Sequence, residues 1–266
     1  MFDYHMHTSF SADCDALPED MVRAAIQKGL TEICFTDHVD YDYPDKNFIF
    51  DFNQETYKEA IAQLQDRYGS EIQVKRGVEI GVQPHILDKY TNLIQEEEFD
   101  FVICSLHTVE KQDLHFGAIF ENRTIDDSYE AYYQELLRCI RKFDAYSVLG
   151  HVDLIKRYAK KAPSQDFDEC LKEIFSEIIP RGKGIEINTS GVRYGLSTTM
   201  PSTDILELYK SCGGEILTIG SDAHRPTDVG FDIRESLQLA SHIGFRFIAT
   251  YEKGEPQFHS IEHLLR

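Results

Sequence analysis

Eight short runs rich in β-branched and aromatic residues recur along the chain: "FDYH", "EICFT", "QVKRGVEI", "FVICS", "YSVLG", "GIEIN", "ILTIG" and "FRFIAT". Helical periods lie between them. Pro18 can open the first helix, with Glu19 and Asp20 in its first turn and Gly29 just past its end. Met21, Val22, Ala25 and Ile26 give it one apolar stripe. Segments 54–68, 83–98, 127–143, 166–180, 202–211 and 231–243 read alike. Strand–helix alternation throughout one chain predicts a parallel sheet covered by helices. Seven or eight such units in 266 residues predict an α/β fold of the TIM-like (β/α) barrel kind. A doubly wound sheet is the alternative, but no glycine-rich phosphate loop follows the first strand. With no linker, repeat or low-complexity stretch, residues 1–266 read as one domain.

The polar residues on these strands carry the chemistry. The chain opens "MFDYHMHTSFSADCD". On a strand Asp3, His5 and His7 share one face. Burying three ionisable groups on an inner face is costly unless something binds them, and a metal ion does so. Of eleven histidines, six (His5, His7, His38, His107, His151 and His224) fall at or just beyond the C-terminal end of a strand run. The third run has Glu79 there, and the last of these motifs, "GSDAH", adds Asp222. Barrel active sites form at that face, where several strands deliver side chains to one place. Eight candidate ligands exceed the three or four that one zinc takes, so two or three divalent ions are implied. Imidazole and carboxylate without thiolate suit Zn, Mn or Fe alike. Glu79 has two oxygens and could bridge two ions. His85, His115, His242, His259 and His263 lie in helices or loops and read as ordinary residues. Among them His115, in "KQDLHFG", lies nearest the same rim.

Composition narrows the partners. The formal net charge is -19, which repels phosphate backbones and argues against nucleic acid. Six scattered cysteines, with no C-x-x-C pair, read as reduced thiols of a cytoplasmic protein. "MFDYHMH" lacks an apolar h-region, so no signal peptide is expected. No apolar run approaches the ~20 residues of a membrane helix, and no membrane partner is expected. Nothing in the sequence sets an oligomeric state.

Taken together, "HMH", "TDH", "GVEI", "SLH", "GH" and "GSDAH" resemble, in order and across nearly the whole chain, the PHP superfamily, named for polymerase and histidinol phosphatase. The resemblance implies a distorted (β/α)7 barrel, a single PHP catalytic domain over residues 1–266, and a trinuclear site. Carried over by position, His5, His7, Glu79 and Asp222 would hold one ion. Glu79, His107 and His151 would hold a second, and Asp13, His38 and His224 a third. Asp13 stands where some relatives carry histidine, and a carboxylate favours a harder ion. Within the superfamily, "GHVDLIKRY", "INTSGVRYG" and "GSDAHRPTDVG" are most similar to the histidinol-phosphate phosphatases. The implied reaction is hydrolysis of L-histidinol phosphate to L-histidinol and phosphate, in histidine biosynthesis.

The residues suit that chemistry. Metal ions neutralise a phosphate monoester and lower the pKa of bound water, so that a hydroxide held between two ions can attack phosphorus in line. Arg157 and Arg193 lie on loops after strand ends, and a guanidinium fork matches phosphate oxygens in pairs. Arg157, Arg193, Asp222 and His224 are therefore the expected catalytic residues. Arg157, Arg193 and His38 are the residues expected to touch a small-molecule phosphate monoester. Asp3 either orients a ligand histidine or faces solvent. Asp37 reads as an acceptor for nearby backbone. The loop 39–52, "VDYDYPDKNFIFDF", is either a lid that meets the substrate or a solvated loop anchored by Phe48 and Phe50. Other PHP phosphoesterases, acting on phosphotyrosine or nucleotides, are the nearest alternative. A metal-dependent amidohydrolase would normally carry a lysine on its fourth strand, and "FVICSLH" has none. A non-enzymatic barrel would have no need of an intact ligand set.

Overall fold

The computed structural model describes residues 1–266. Seven strands form the barrel: β1 (Phe2–Asp3), β2 (Glu32–Phe35), β3 (Gln73–Gly81), β4 (Phe101–Ser105), β5 (Val148–Leu149), β6 (Gly184–Asn188) and β7 (Leu217–Gly220). Each pairs in parallel with the next in chain order. Seven helices alternate with them: α1 (Pro18–Gln27), α2 (Gln54–Tyr68), α3 (Leu87–Glu97), α4 (Ile125–Ile140), α5 (Asp168–Ile178), α6 (Thr203–Ser211) and α7 (Ile233–Ile243). The alternation read from the sequence is thus a (β/α)7 barrel. One continuous cluster of buried apolar side chains runs from Phe2 to Ile261. No helix is long and apolar enough to cross a membrane. All six thiols are free.

The helix ends follow from local chemistry. Pro18 opens α1, whose residues Met21, Val22 and Ala25 are buried. Asn53 caps α2 by accepting the Thr56 N–H at 2.9 Å, and Thr124 caps α4 through the Asp127 N–H at 3.1 Å.

The histidine pair at the start of the chain lies on the seam of the ring. Only Phe2 and Asp3 pair with β2. From Tyr4 onward the chain also bonds to the other side: the Tyr4 N–H donates to Ile219 O at 2.9 Å, Asp222 N–H to His5 O at 2.7 Å, and His7 N–H to Ala223 O at 2.9 Å, while Met6 O still accepts from the Thr36 N–H at 2.9 Å. A two-residue strand beyond β2, His38–Val39, pairs with the upper half of β3 and sets His38 beside Glu79.

The eighth run, "FRFIAT", does not enter the ring. It becomes β8 (Phe247–Glu252), paired antiparallel with β9 (Glu255–Ser260). This hairpin caps the N-terminal end of the barrel, opposite the histidines. The Tyr251 N–H donates to the Tyr4 hydroxyl at 3.0 Å, and the Lys253 N–H to Asp100 Oδ1 at 3.0 Å. The Tyr4 hydroxyl itself donates to Glu32.

Close approach at the seam requires a glycine. A methyl group on Gly220 would collide with the His5 Cβ and sit 2.7 Å from the His5 nitrogen. Gly220→Ala should therefore destabilise the fold by about 1–3 kcal/mol, as overpacking of a tight core does. Urea unfolding measures this, and an unchanged midpoint would show that the seam yields without penalty.

Candidate metal centre

The eight strand-end candidates converge at the C-terminal mouth of the barrel. His5 and His7 follow β1, His38 extends from β2, and Glu79 lies within β3. His107 and His151 each stand two residues past β4 and β5, and Asp222 and His224 stand two and four past β7. Glu79 is at the centre. Its Oε2 lies 2.9 Å from His5 Nε2, 3.4 Å from His7 Nε2 and 3.3 Å from His38 Nδ1. Its Oε1 lies 3.2 Å from His107 Nε2 and 2.9 Å from His151 Nε2. Asp222 Oδ1 is 3.4 Å from His7 Nε2 and 3.8 Å from His5 Nε2. Asp13, on the β1–α1 loop, brings Oδ2 to 3.3 Å from His224 Nε2 and 3.7 Å from His38 Nε2. The His7 ring stacks against both His38 and His224, with centroids 4.3 and 4.2 Å away.

These spacings fit cations. A four-coordinate ion with bonds of about 2.0–2.1 Å holds its ligand atoms about 3.3–3.4 Å apart. Four groups of three donors have all their atoms within 4.8 Å of one another: His5–His7–Asp222, His5–Glu79–His151, His38–Glu79–His107 and His7–His38–His224. The nitrogens His5 Nε2 and His7 Nε2 face each other at 3.1 Å. His38 turns one ring nitrogen to Glu79 and the other to Asp13, so it stands between two clusters. His115 lies exposed at the cavity wall and belongs to none of these groups.

Among the side chains alone, the charges compensate one another. Burial opposes the Glu79 charge, yet His5, His38 and His107 hold that carboxyl well below the usual carboxylate range. Burial likewise opposes charge on Asp222, which His5, His7 and Arg157 hold low. Burial, with the neighbouring His224 and His38, pushes His7 down to about 3. His224 resists burial through Asp13 and Asp222 and rises to about 9. A divalent ion can replace such protons, and binding then releases them.

A ring of polar residues holds the ligands, and most of it went unmarked in the sequence. Glu186, on β6, sets Oε2 2.8 Å from His5 Nδ1. Asp40 Oδ2 lies 2.7 Å from His107 Nδ1. The Ser105 hydroxyl donates to Glu79 Oε1 at 2.5 Å, and the Ser11 hydroxyl lies 3.3 Å from His7 Nδ1. Glu186 sits in "GIEIN", a carboxylate inside an apolar strand, and that was the available signal. Asp37 accepts the Thr8 N–H at 2.6 Å, the backbone role expected of it. Asp3 does not face solvent, and it touches the candidate ligand His5 only through that residue's backbone N–H, at 3.4 Å. It is fully buried, and its carboxylate accepts from the Ser221 N–H (2.8 Å), the Ser221 hydroxyl (2.6 Å) and the Gly230 N–H (2.7 Å). It ties the loop that carries Asp222 to the backbone at His5, and it meets no imidazole ring.

The two arginines are placed differently from each other. Arg157, on a short helix after β5, lines a cavity of about 170 Å³ together with Glu79, His107 and His151. Its Nη2 donates to Asp222 Oδ2 at 3.0 Å and Ser190 Oγ at 2.6 Å, and its plane lies 4.0 Å from the Tyr194 ring centre. Its buried Nε has no hydrogen-bond partner. Arg193 stays outside that cavity, in an adjoining groove that Arg157 also lines. Arg193 donates to Asp228 Oδ2 at 3.0 Å, to the Asp222 carbonyl at 3.0 Å and to the Ser221 carbonyl. The symmetrical pair expected from the sequence is thus one arginine at the cavity and one bracing the loop behind it. Tyr43, Phe48, Phe50, Phe116 and Tyr158 add aromatic rings to the cavity wall. Phe48 and Phe50 stack with centroids 5.8 Å apart, and Tyr43 packs edge-on to Phe50. The loop 39–52 is therefore both anchored by these rings and part of the wall.

The PHP domain model matches residues 3–190 of this sequence. The chain belongs to the PHP family. Among its relatives, histidinol-phosphatase of Lactococcus lactis subsp. lactis is 32% identical over 256 residues, 94% of this chain and 93% of that protein. The probable histidinol-phosphatase of Clostridium acetobutylicum is 30% identical, over 92% and 95% of the two chains. The crystal structure of the Lactococcus lactis histidinol phosphate phosphatase, complexed with zinc, L-histidinol and phosphate, superposes with a TM-score of 0.89. It is 31% identical, and the match covers 96% of this chain and 98% of that one. A putative histidinol phosphatase from Listeria monocytogenes shares the fold, with a TM-score of 0.75 at 20% identity.

Protein purified without chelator should contain at least two divalent ions per chain. Glu79→Gln should lower that number, because one carboxylate serves several rings. Elemental analysis decides both points, and a single ion in the wild type would end the multinuclear reading. The chelator-treated protein should show a pH signature. His224 is raised from 6.5 to about 9, so its contribution to stability is complete below about pH 6.5 and disappears as pH rises through about 9. Asp13→Asn should flatten part of that fall in melting temperature; an identical slope in the variant would dissociate His224 from Asp13.

Proposed function

We propose that this chain is a metal-dependent phosphomonoester hydrolase that converts L-histidinol phosphate to L-histidinol and inorganic phosphate, a step of histidine biosynthesis. The observation that carries the reading is Arg157. Its guanidinium lines the same cavity as Glu79, His107 and His151, and its Nε finds no acceptor in the protein. A buried donor without a partner beside a cation-binding cluster suits an oxyanion. The Lactococcus lactis relative, similar along nearly its whole length, has zinc, L-histidinol and phosphate bound.

The residues that would hold two or three divalent ions are His5, His7, Glu79 and Asp222; Glu79, His107 and His151; and Asp13, His38 and His224. Zinc is favoured by the relative, while Mn and Fe suit the same donors. Bound there, such ions would neutralise phosphoryl charge and lower the pKa of water. The protein's own groups do the rest. Arg157 donates to phosphoryl oxygens while Asp222 and Ser190 hold its other edge. Arg193 reaches the phosphate only from the adjoining groove, and it steadies Asp222 by gripping that residue's carbonyl. His38 and His224 face the open side of the cluster, where substrate enters. Tyr43, Phe48, Phe50 and Phe116 form a wall able to pack a planar, cationic imidazole and exclude water. Residues 1–266 act as one catalytic domain around one core. The free thiols suit the cytoplasm, and the acidic surface selects a small molecule over nucleic acid or membrane.

Arg157→Ala should lower kcat/KM on L-histidinol phosphate about ten- to a hundredfold, from loss of one charge-assisted contact of about 1.5–3 kcal/mol. Arg157→Lys should recover part of this, since charge survives without the fork. Zinc content should persist in both. Steady-state kinetics against L-histidinol phosphate test the proposal. Wild-type protein with its full metal complement and no turnover of this ester would refute the substrate.

A further inference from the structure

Strand β6 carries none of the candidate ligands, yet its inward polar residue Glu186 touches two of the elements that do. Its side chain is buried and both oxygens are engaged. Oε2 lies 2.8 Å from His5 Nδ1. Oε1 accepts the backbone N–H of His151 at 2.7 Å and the Asn188 amide at 3.2 Å. One carboxylate therefore fixes the ring of a residue on the seam and the backbone of a residue after β5.

We propose that Glu186 is a positioning residue of the metal centre, which sets the tautomer of His5 and the placement of His151. The inference rests on the reading of His5 and His151 as ligands. A carboxylate only accepts, so the His5 ring must donate from Nδ1. When a cation replaces the proton on Nε2, that nitrogen presents its lone pair between Glu79 Oε2 at 2.9 Å and His7 Nε2 at 3.1 Å. The same residue has room for no other role. It does not line the cavity, and its Oε1 already accepts from two donors.

Glutamine is the discriminating substitution because it keeps the shape and loses one acceptor. If the amide oxygen faces the His151 N–H, the NH₂ group faces His5 Nδ1. The ring proton must then move to Nε2 and block the metal side. If the amide is turned around, its NH₂ faces the His151 N–H and the Asn188 NH₂, donor against donor. Either arrangement weakens the site without opening a void.

The test titrates zinc chloride into chelator-stripped wild type and Glu186→Gln, with melting of the stripped proteins as the control for folding. Zinc affinity in the folded variant should fall about ten- to a hundredfold. A second measurement reads the wild-type protein directly. Nitrogen-15 NMR of zinc-loaded wild type should find the His5 proton on Nδ1, the signal being assigned by its loss in His5→Gln. Equal zinc affinity in folded Glu186→Gln, or a His5 proton on Nε2 in the wild type, overturns the proposal. Wild type that binds no zinc at all sinks the ligand reading, and this one with it. Unchanged binding in the variant alone sinks only this one.

Discussion

The fold is organised around one buried carboxylate. Glu79 has no access to water, and five imidazoles from four other strand ends face its two oxygens. An isolated charge in such a place would be expelled or neutralised. Here the surrounding rings supply positive charge or, with cations, share it. A barrel is the architecture that permits this, because parallel strands in a ring gather their C-terminal ends around one mouth. The nine residues of β3 make it the longest barrel strand, and it runs past the end of β2, level with the end of β4, to bring Glu79 to the middle.

A single strong cluster also explains why so much polarity is tolerated inside. Asp3, Asp37, Asp40 and Glu186 are all buried, and each meets N–H or O–H donors or a ring nitrogen. These acids form a second circle behind the ligands. Glu186 and Asp40 meet the ring nitrogens of His5 and His107, while Asp3 and Asp37 hold backbone and hydroxyl donors behind them. A core of this kind is stable only as a complete set, because each unpaired member would carry its full desolvation penalty.

The barrel was legible in the sequence because alternation of strands and helices leaves a strong period, and the ligands were legible because histidine is rare enough to stand out at strand ends. The eighth strand run could not be told from a barrel strand. "FRFIAT" has the same composition, and only the following "EKGEPQF" turns it back on itself. Asp3 was seen, but its partners Ser221 and Gly230 lie at the other end of the chain and no local pattern joins them. Glu186 and Asp40 were overlooked for a related reason: a carboxylate that holds a ligand looks, in one sequence, like any acid near a strand. Arg193, expected on a loop, ends a short helix after β6 (Ser190–Arg193), and its direction depends on carbonyls at 221 and 222 that periodicity does not reveal.

The seam has a consequence for the order of assembly. Asp3 and Ser221, which bond across it, are 218 residues apart, and the Tyr4 hydroxyl meets a backbone N–H 247 residues away. Closing so long a stretch of chain is entropically expensive, and contacts of this separation form late. During synthesis, His5 and His7 emerge first, but the strand that closes the ring against them, Leu217–Gly220, is made near the end of the chain. The segment that supplies the first two candidate ligands therefore waits for the segment that supplies the last two. A product interrupted before residue 222 therefore lacks both Asp222 and His224 and cannot assemble the full set of candidate ligands.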